Sequence, residues 1–238
     1  MVIRLFLIRH GETENGDVKR YKGHTDVPLS ENGIEQMERL SKYIVQDCSN
    51  TSNPPSPPFT KGGMGGFLNA VYCSDLSRAL KSAEIIAKPH GLKPMIMPEL
   101  RERSFGIWEG MSFDEIKEQY PEEFDAWTGN PLKFSPMQGE STIKVRDRVV
   151  EALNRILVQS GSNSSNGLNG LNSLNDSNYI SIAIVSHGGV NRILLCHILG
   201  IPLENIFRIE QDYSALNVIE FYDKYPVVKL LNGGFELK

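Results

Sequence analysis

Residues 179–199 read YISIAIVSHGGVNRILLCHIL. The first eight are mostly apolar and β-branched, as in a buried strand. After Ser186-His187-Gly188-Gly189 the apolar positions change to helical spacing and keep it to Leu199, so a helix is predicted over Gly189 to Leu199. A buried strand passing through a glycine pair into a helix belongs to a sheet with crossover helices, which makes the chain α/β. The same alternation recurs outward from this point. VIRLFLI is a first strand, halted at Arg9-His10-Gly11-Glu12-Thr13. Ser30 to Val45 reads as a helix with Ser30 as N-cap and Ile34, Met37, Leu40 and Ile44 on one face. NAVYCS is a second strand, leading through Ser74 and Asp75 into a helix from Leu76 to Lys88 that Pro89 closes. A short strand at Pro94 to Met97 follows, then helices near Ser112 to Tyr120 and Ser141 to Gln159. The tail, ALNVIEFY followed by VVKLLN, predicts an antiparallel hairpin closing one sheet edge, with its turn at Asp223 to Pro226.

Composition bounds the class. The 238 residues are 40% hydrophobic and 23% charged, as expected of a soluble globular protein with a sizeable core. A net charge of −4 and the absence of a basic stripe argue against a nucleic-acid partner. Three scattered cysteines, Cys48, Cys73 and Cys196, suggest neither a disulfide framework nor a CxxC metal site. Met1 to Ile8 contains Arg4 and has no small-residue cleavage site, so neither a signal peptide nor a membrane span is expected, and the location expected is the cytoplasm. Two segments, 49–66 and 160–178, are rich in Pro, Gly, Ser and Asn and lack periodicity; they read as solvated insertions within a single domain over 1–238.

Chemistry gathers where strands end, as it does at the carboxyl edge of an open α/β sheet. The first strand delivers Arg9 and His10, the second Ser74 and then Arg78, and the YISIAIVS strand His187 with Gly188 and Gly189. LRERSFGIWEG adds Arg101, Glu102 and Arg103. A single histidine at a strand end is commonly a satisfied turn residue, and a single arginine at a helix start commonly pairs with an acid. Two Gly-flanked imidazoles at one sheet edge, with arginines beside them, are far more specific. A neutral imidazole can attack phosphorus and leave again, and forked guanidinium donors match phosphoryl oxygens.

RHGET, YCSDLSRALKSAEII, LRERSFGIWEG, GES at 139–141 and VSHGGVNRILL together resemble the histidine phosphatase superfamily, which includes the cofactor-dependent phosphoglycerate mutases. The resemblance runs in order over nearly the whole chain. It implies a three-layer sandwich with a mostly parallel central sheet flanked by helices. It also implies His10 as the phosphorylated nucleophile, Arg9, Arg78 and His187 as the phosphate pocket, and Glu102 as proton donor. Gly11, Asn15, Gly23 and Gly188 complete the expected substrate contacts. Gly11 and Gly188 are expected to let backbone approach the phosphate, and the helix after His187 to point its positive end at it. The family usually carries Asn six residues after the nucleophile; here that position is Gly16, with Asn15 one place early. His24 is expected at the rim.

Mutases of the family resemble ERHYG followed by a long basic insertion, whereas residues 104–138 here are short, aromatic and acidic. This favours a phosphatase, nearest the α-ribazole phosphatase and broad-specificity branch. The aromatics of that stretch, Trp108, Tyr120, Phe124 and Trp127, fit either a packed helical cap or a stacking surface. The expected reaction is hydrolysis of a small phosphorylated metabolite, α-ribazole 5′-phosphate being one candidate, without metal or other cofactor and with a homodimer left open. A phosphoglycerate mutase and a weakly active phosphoryl-binding protein are the alternatives. A metal-dependent hydrolase is disfavoured because the five histidines show neither HxH nor HExxH spacing.

Overall fold

The structure, a computed structural model, describes residues 1–14, 20–49, 68–162, 179–223 and 225–234. Asn15 and Gly16, and nearly all of the two low-complexity segments, lie outside the described residues.

The strands are β1 (Val2–Arg9), β2 (Ala70–Cys73), β3 (Met95–Ile96), β4 (Tyr179–Ser186), β5 (Leu216–Tyr222) and β6 (Tyr225–Gly233). The helices are α1 (Glu31–Ser49), α2 (Ser77–Ala87), α3 (Phe113–Gln119), α4 (Pro121–Gly129), α5 (Thr142–Ser162) and α6 (Gly188–Leu199). The strands form one sheet in the order β3-β2-β4-β1-β5-β6. The first four run parallel, and β5 and β6 add the antiparallel hairpin at one edge.

Period-2 alternation in β1 explains the layering. Leu5 and Leu7 pack with α5 and α6 on one face, Phe6 and Ile8 with α1 and α2 on the other, and all four are fully buried. A strand covered on both faces must be mostly apolar, which is why β1 and β4 read as near-continuous hydrophobic runs, broken in β1 by Arg4, which pairs with Asp47 and Glu220. The result is the expected three-layer sandwich. A smaller cluster of Trp108, Ile116 and Phe124 holds α3 and α4 together as a cap. The α3 start carries a full capping box, Ser112 and Glu115 exchanging side-chain-to-backbone bonds.

Several boundaries differ from the sequence expectations. α5 runs three residues past Gln159, because Ser160 is buried and its hydroxyl donates to the Ile156 carbonyl at 2.8 Å. The low-complexity composition after Gln159 therefore begins inside the helix. α1 likewise continues to Ser49. α2 ends at Ala87, ahead of Pro89 as expected, and Pro89 itself sits in a 3₁₀ turn, Lys88–His90, which Gly91 ends with a positive φ of 66°. α4 lacked an apolar stripe long enough to be read as a helix; Pro121 in its first turn is its clearest start signal. Among the described residues, no helix is long and apolar enough to cross a membrane.

Candidate active site

Register explains why the two imidazoles meet. β1 and β4 pair in parallel with Arg9 opposite Ser186, so His10 and His187 leave adjacent strands at one level. The His10 amide then donates to the Ser186 carbonyl at 3.0 Å. The two rings stand with centroids 5.1 Å apart at 65°. β2 ends one strand over, with Cys73 level with Val185. α2 starts four residues later and carries Arg78 at its second position.

His10 is only 5% exposed, and its Nδ1 lies 2.7 Å from the Gly11 carbonyl. A carbonyl can only accept, so Nδ1 holds the proton and Nε2 keeps a free lone pair. Burial holds the His10 pKa well below the ordinary imidazole value, and the charges of Arg9 and Arg78 add to the effect. The ring is neutral at physiological pH. His187 is 1% exposed and also neutral, held so by burial first and then by His10, Arg78 and Arg9. Among the described residues neither of its ring nitrogens has a hydrogen-bond partner. Orphaned buried polar atoms cost about 1–3 kcal/mol each, and an anion accepting from the ring N–H would relieve one of the two.

The arginines are fixed by backbone carbonyls and aromatic contact. Arg78 donates through Nη1 to Thr25 O at 2.8 Å and through Nη2 to Gly23 O at 2.7 Å. Arg9 donates through Nη1 to Gln211 O at 2.6 Å, and its guanidinium carbon lies 4.0 Å from the ring centroid of Tyr213. Burial lowers the pKa of both, yet arginine starts so high that each remains a cation.

Glu102 accepts from the Arg103 amide at 2.9 Å and from the Gly189 amide, in the first turn of α6, at 3.0 Å. Its sequence neighbours Arg101 and Arg103 do not pair with this carboxylate through their guanidinium groups. Instead Arg101 forms a bidentate pair with Asp75 at 2.7 and 2.5 Å. The Arg103 guanidinium is bonded to Glu140 O, Thr142 Oγ1 and Phe134 O. Glu102 is thus held at the mouth of the site by backbone donors, which leaves its carboxylate facing the cleft. His24 does not line this cleft; it bonds the Glu102 carbonyl through Nε2 at 2.9 Å.

Gly11 is placed differently from expectation, whereas Gly188 and Gly23 line the cleft. A Cβ on Gly11 would collide with the Gly33 carbonyl, so Gly11 lets the loop pack on the start of α1, and it does not line the cleft. A Cβ on Gly188 would stand 3.3 Å from Arg9 Nε, and one on Gly189 2.5 Å from a Glu102 oxygen. These two glycines admit protein side chains close to the helix start. α6 begins at Gly188, with His187 as its N-cap, one residue before the predicted start. Ser74 is buried and its hydroxyl accepts from the Leu76 amide, which makes it a turn residue.

The cleft encloses about 260 Å³, with Arg9, His10, Arg78 and Glu102 on its wall. Sequence reasoning missed other parts of the wall, among them the helical Arg192 and the loop or turn residues Tyr21, Lys22, Phe105, Phe207 and Tyr213. The latter five lie on loops and short turns without periodicity, where sequence offers no directional signal. Trp127 is on the wall too, whereas Trp108 and Phe124 are buried in the cap. The two readings of the aromatic stretch therefore divide by residue. Among the described residues no group of three or more His, Cys, Asp or Glu side chains is placed to hold a metal ion.

This arrangement has counterparts. The family described as the histidine phosphatase superfamily (branch 1) matches residues 5–50 and 67–233. The adenosylcobalamin/α-ribazole phosphatase of Escherichia coli strain K12 is 27% identical over 231 residues, covering 97% of this chain and 96% of the relative. Phosphoserine phosphatase 1 of Hydrogenobacter thermophilus is also 27% identical over 231 residues, covering 97% of this chain and 92% of the relative. The crystal structure of the α-ribazole phosphatase from Shigella flexneri superposes with a TM-score of 0.76 at 27% identity, covering 99% of each chain. The chain belongs to the histidine phosphatase superfamily, branch 1, and is a phosphomonoesterase of that family.

Proposed function

We propose that this protein, as one catalytic domain over residues 1–238, hydrolyses a small phosphomonoester through a phosphohistidine formed on His10. The observation that carries the reading is the His10 imidazole, neutral and fixed through Nδ1 by the Gly11 carbonyl, beside a buried His187 with two unpartnered ring nitrogens. Nε2 attacks phosphorus as the bond to the leaving oxygen breaks, and Glu102 supplies a proton to that oxygen. Arg9, Arg78 and His187 hold the phosphoryl oxygens as charge moves onto them. Water then attacks the phosphohistidine and gives its proton to Glu102, which returns inorganic phosphate and free His10. The α6 N-terminus, next to Glu102, adds its positive end to the site.

The leaving group meets an aromatic wall of Tyr21, Phe105, Trp127, Phe207 and Tyr213. This favours a ring-bearing substrate such as α-ribazole 5′-phosphate over phosphoserine, whose ammonium group meets, among the described residues, no carboxylate on that wall other than Glu102. A reducing cytoplasm suits the free, buried thiols of Cys73 and Cys196.

Phosphate release from p-nitrophenyl phosphate, α-ribazole 5′-phosphate, phosphoserine and 3-phosphoglycerate, each with and without EDTA, tests this. Hydrolysis unaffected by EDTA and greatest in kcat/KM for the ring-bearing metabolite is expected. Loss of activity in EDTA would replace the phosphohistidine route with metal chemistry, and conversion of 3-phosphoglycerate to its isomer would make the protein a mutase.

Glu102→Gln should slow phosphorylation of His10 by alkyl phosphates about 10²-fold while nearly sparing nitrophenyl esters, whose good leaving group needs little acid help. The comparison belongs in single-turnover measurements, since slow dephosphorylation would mask it in steady state. Equal losses for both substrates would make Glu102 a binding residue.

A further inference from the structure

Glu109 lies seven residues past Glu102, just after the 3₁₀ turn Gly106–Trp108, and its carboxylate accepts five hydrogen bonds. Oε1 receives the amides of His24 at 2.9 Å and Phe105 at 3.1 Å and the Ser104 hydroxyl at 3.3 Å. Oε2 receives both the amide and the hydroxyl of Thr25 at 2.9 Å. One side chain thereby ties the turn at Gly23–Thr25 to the segment that follows Glu102.

That turn is the seat of Arg78. The two carbonyls that fix its guanidinium, Gly23 O and Thr25 O, flank the two amides that Glu109 holds. Each peptide unit is planar, so orienting the amides of His24 and Thr25 also orients the carbonyls of Gly23 and His24 on the same planes. Gly23 fits this arrangement by necessity. Its φ is +52°, and a Cβ there would collide with Glu109 Oε1. A carboxylate so fully hydrogen-bonded has one geometry available, and the turn that it fixes has correspondingly little freedom.

We propose that Glu109 is a positioning residue for phosphoryl transfer: by clamping the Gly23–Thr25 turn it sets the guanidinium of Arg78 at the angle that the transferred phosphoryl group requires. Glu109 touches no reacting atom. The inference rests on the assignment of Arg78 to the phosphoryl group made above. Misplacing a catalytic group by about 1 Å can cost on the order of 10²-fold, and the clamp supplies placement of that kind.

The test is a double-mutant cycle on the full chain, read as the single-turnover rate with p-nitrophenyl phosphate and as the inhibition constant of inorganic phosphate. Glu109→Gln presents an amide NH₂ to one set of donors, so the turn loosens. The rate should fall roughly 30-fold and phosphate inhibition should weaken too, by a smaller factor than the rate. In an Arg78→Ala background the same substitution should cost less than about 3-fold, because the group that it positions is gone. A merely structural residue would give independent losses in the two backgrounds and leave phosphate inhibition unchanged, and either result overturns the proposal. Should Glu109→Gln fail to fold, Thr25→Val, which deletes one donor of the five, enters the same cycle, and a wild-type rate for that variant overturns it equally. If His10→Ala and Arg78→Ala both keep wild-type activity, the phosphohistidine reading has failed. If they lose it and Glu109→Gln does not, the clamp alone has failed.

Discussion

His10→Ala is expected to lower turnover of every phosphomonoester by roughly 10⁴-fold or more and to abolish acid-labile labelling of the protein by a phosphoryl donor. The size of the loss follows from the division of labour at the site. Arginine forks and the α6 terminus can stabilise charge without His10, but they leave water to attack a phosphate dianion unaided. Covalent capture on Nε2 replaces that step with two displacements, each involving a better nucleophile or leaving group. The neutral state of His10 means that no deprotonation must precede attack near neutral pH, since its pKa lies well below the usual imidazole value. Acidification through that depressed pKa should therefore remove activity by protonating Nε2, and with it the lone pair. Rapid quenching in alkali followed by phosphate analysis measures the labelled fraction directly. A His10→Ala protein that still labels, or that turns over within about tenfold of wild type, removes the nucleophile assignment.

What the sequence disclosed, and what it did not, follows from how each part of the site is specified. β1 and β4 are mostly apolar and the histidines come just past their ends, so the sequence places both at one sheet edge; the parallel register, Arg9 opposite Ser186, then sets them side by side. Arg78 was readable because it sits in the first turn of a helix with a clear strand ahead of it. The partners that orient these groups were not readable. Gly23 O, Thr25 O and Gln211 O are main-chain atoms on loops, and nothing in residue identity says which way a loop carbonyl faces. Tyr213 reaches Arg9 from the turn before β5, where Ser214 has a positive φ of 55° and the chain shows no periodic pattern. Gly11 misled in an instructive way. Gly11 looked like a phosphate-binding glycine because it follows the nucleophile, but the space beside it is filled by the backbone of Gly33, a residue 22 positions further along. Short-range pattern identifies a small residue without saying which neighbour requires it.

Arg78→Ala should cost about 10³-fold in the phosphorylation rate, an effect second to that of His10, because the lost charge-assisted bonds strengthen as negative charge gathers on the equatorial oxygens. Arg78→Lys should recover only part of this. An ammonium offers a point charge without the fork, and it cannot donate to Gly23 O and Thr25 O while also presenting a pair of N–H groups to phosphate. Arg78 is 1% exposed, so removing it also leaves two buried carbonyls unpaired, at a stability cost of about 1–3 kcal/mol for each. Thermal unfolding must therefore accompany the kinetics. A rate loss in protein shown to be folded at the assay temperature belongs to the site, whereas a loss that tracks the unfolded fraction belongs to the fold. Phosphate or vanadate inhibition separates binding from chemistry. If Arg9 and His187 share in holding ground-state phosphate, as proposed, its affinity should fall by less than the rate does. If the affinity falls as far as the rate, Arg78 holds the ground state and the transition state equally and makes no special contribution to the transfer step. If Arg78→Ala stays folded and reacts within about threefold of wild type, the guanidinium does not touch the transferred group, and its bonds to the Gly23–Thr25 turn are its whole role.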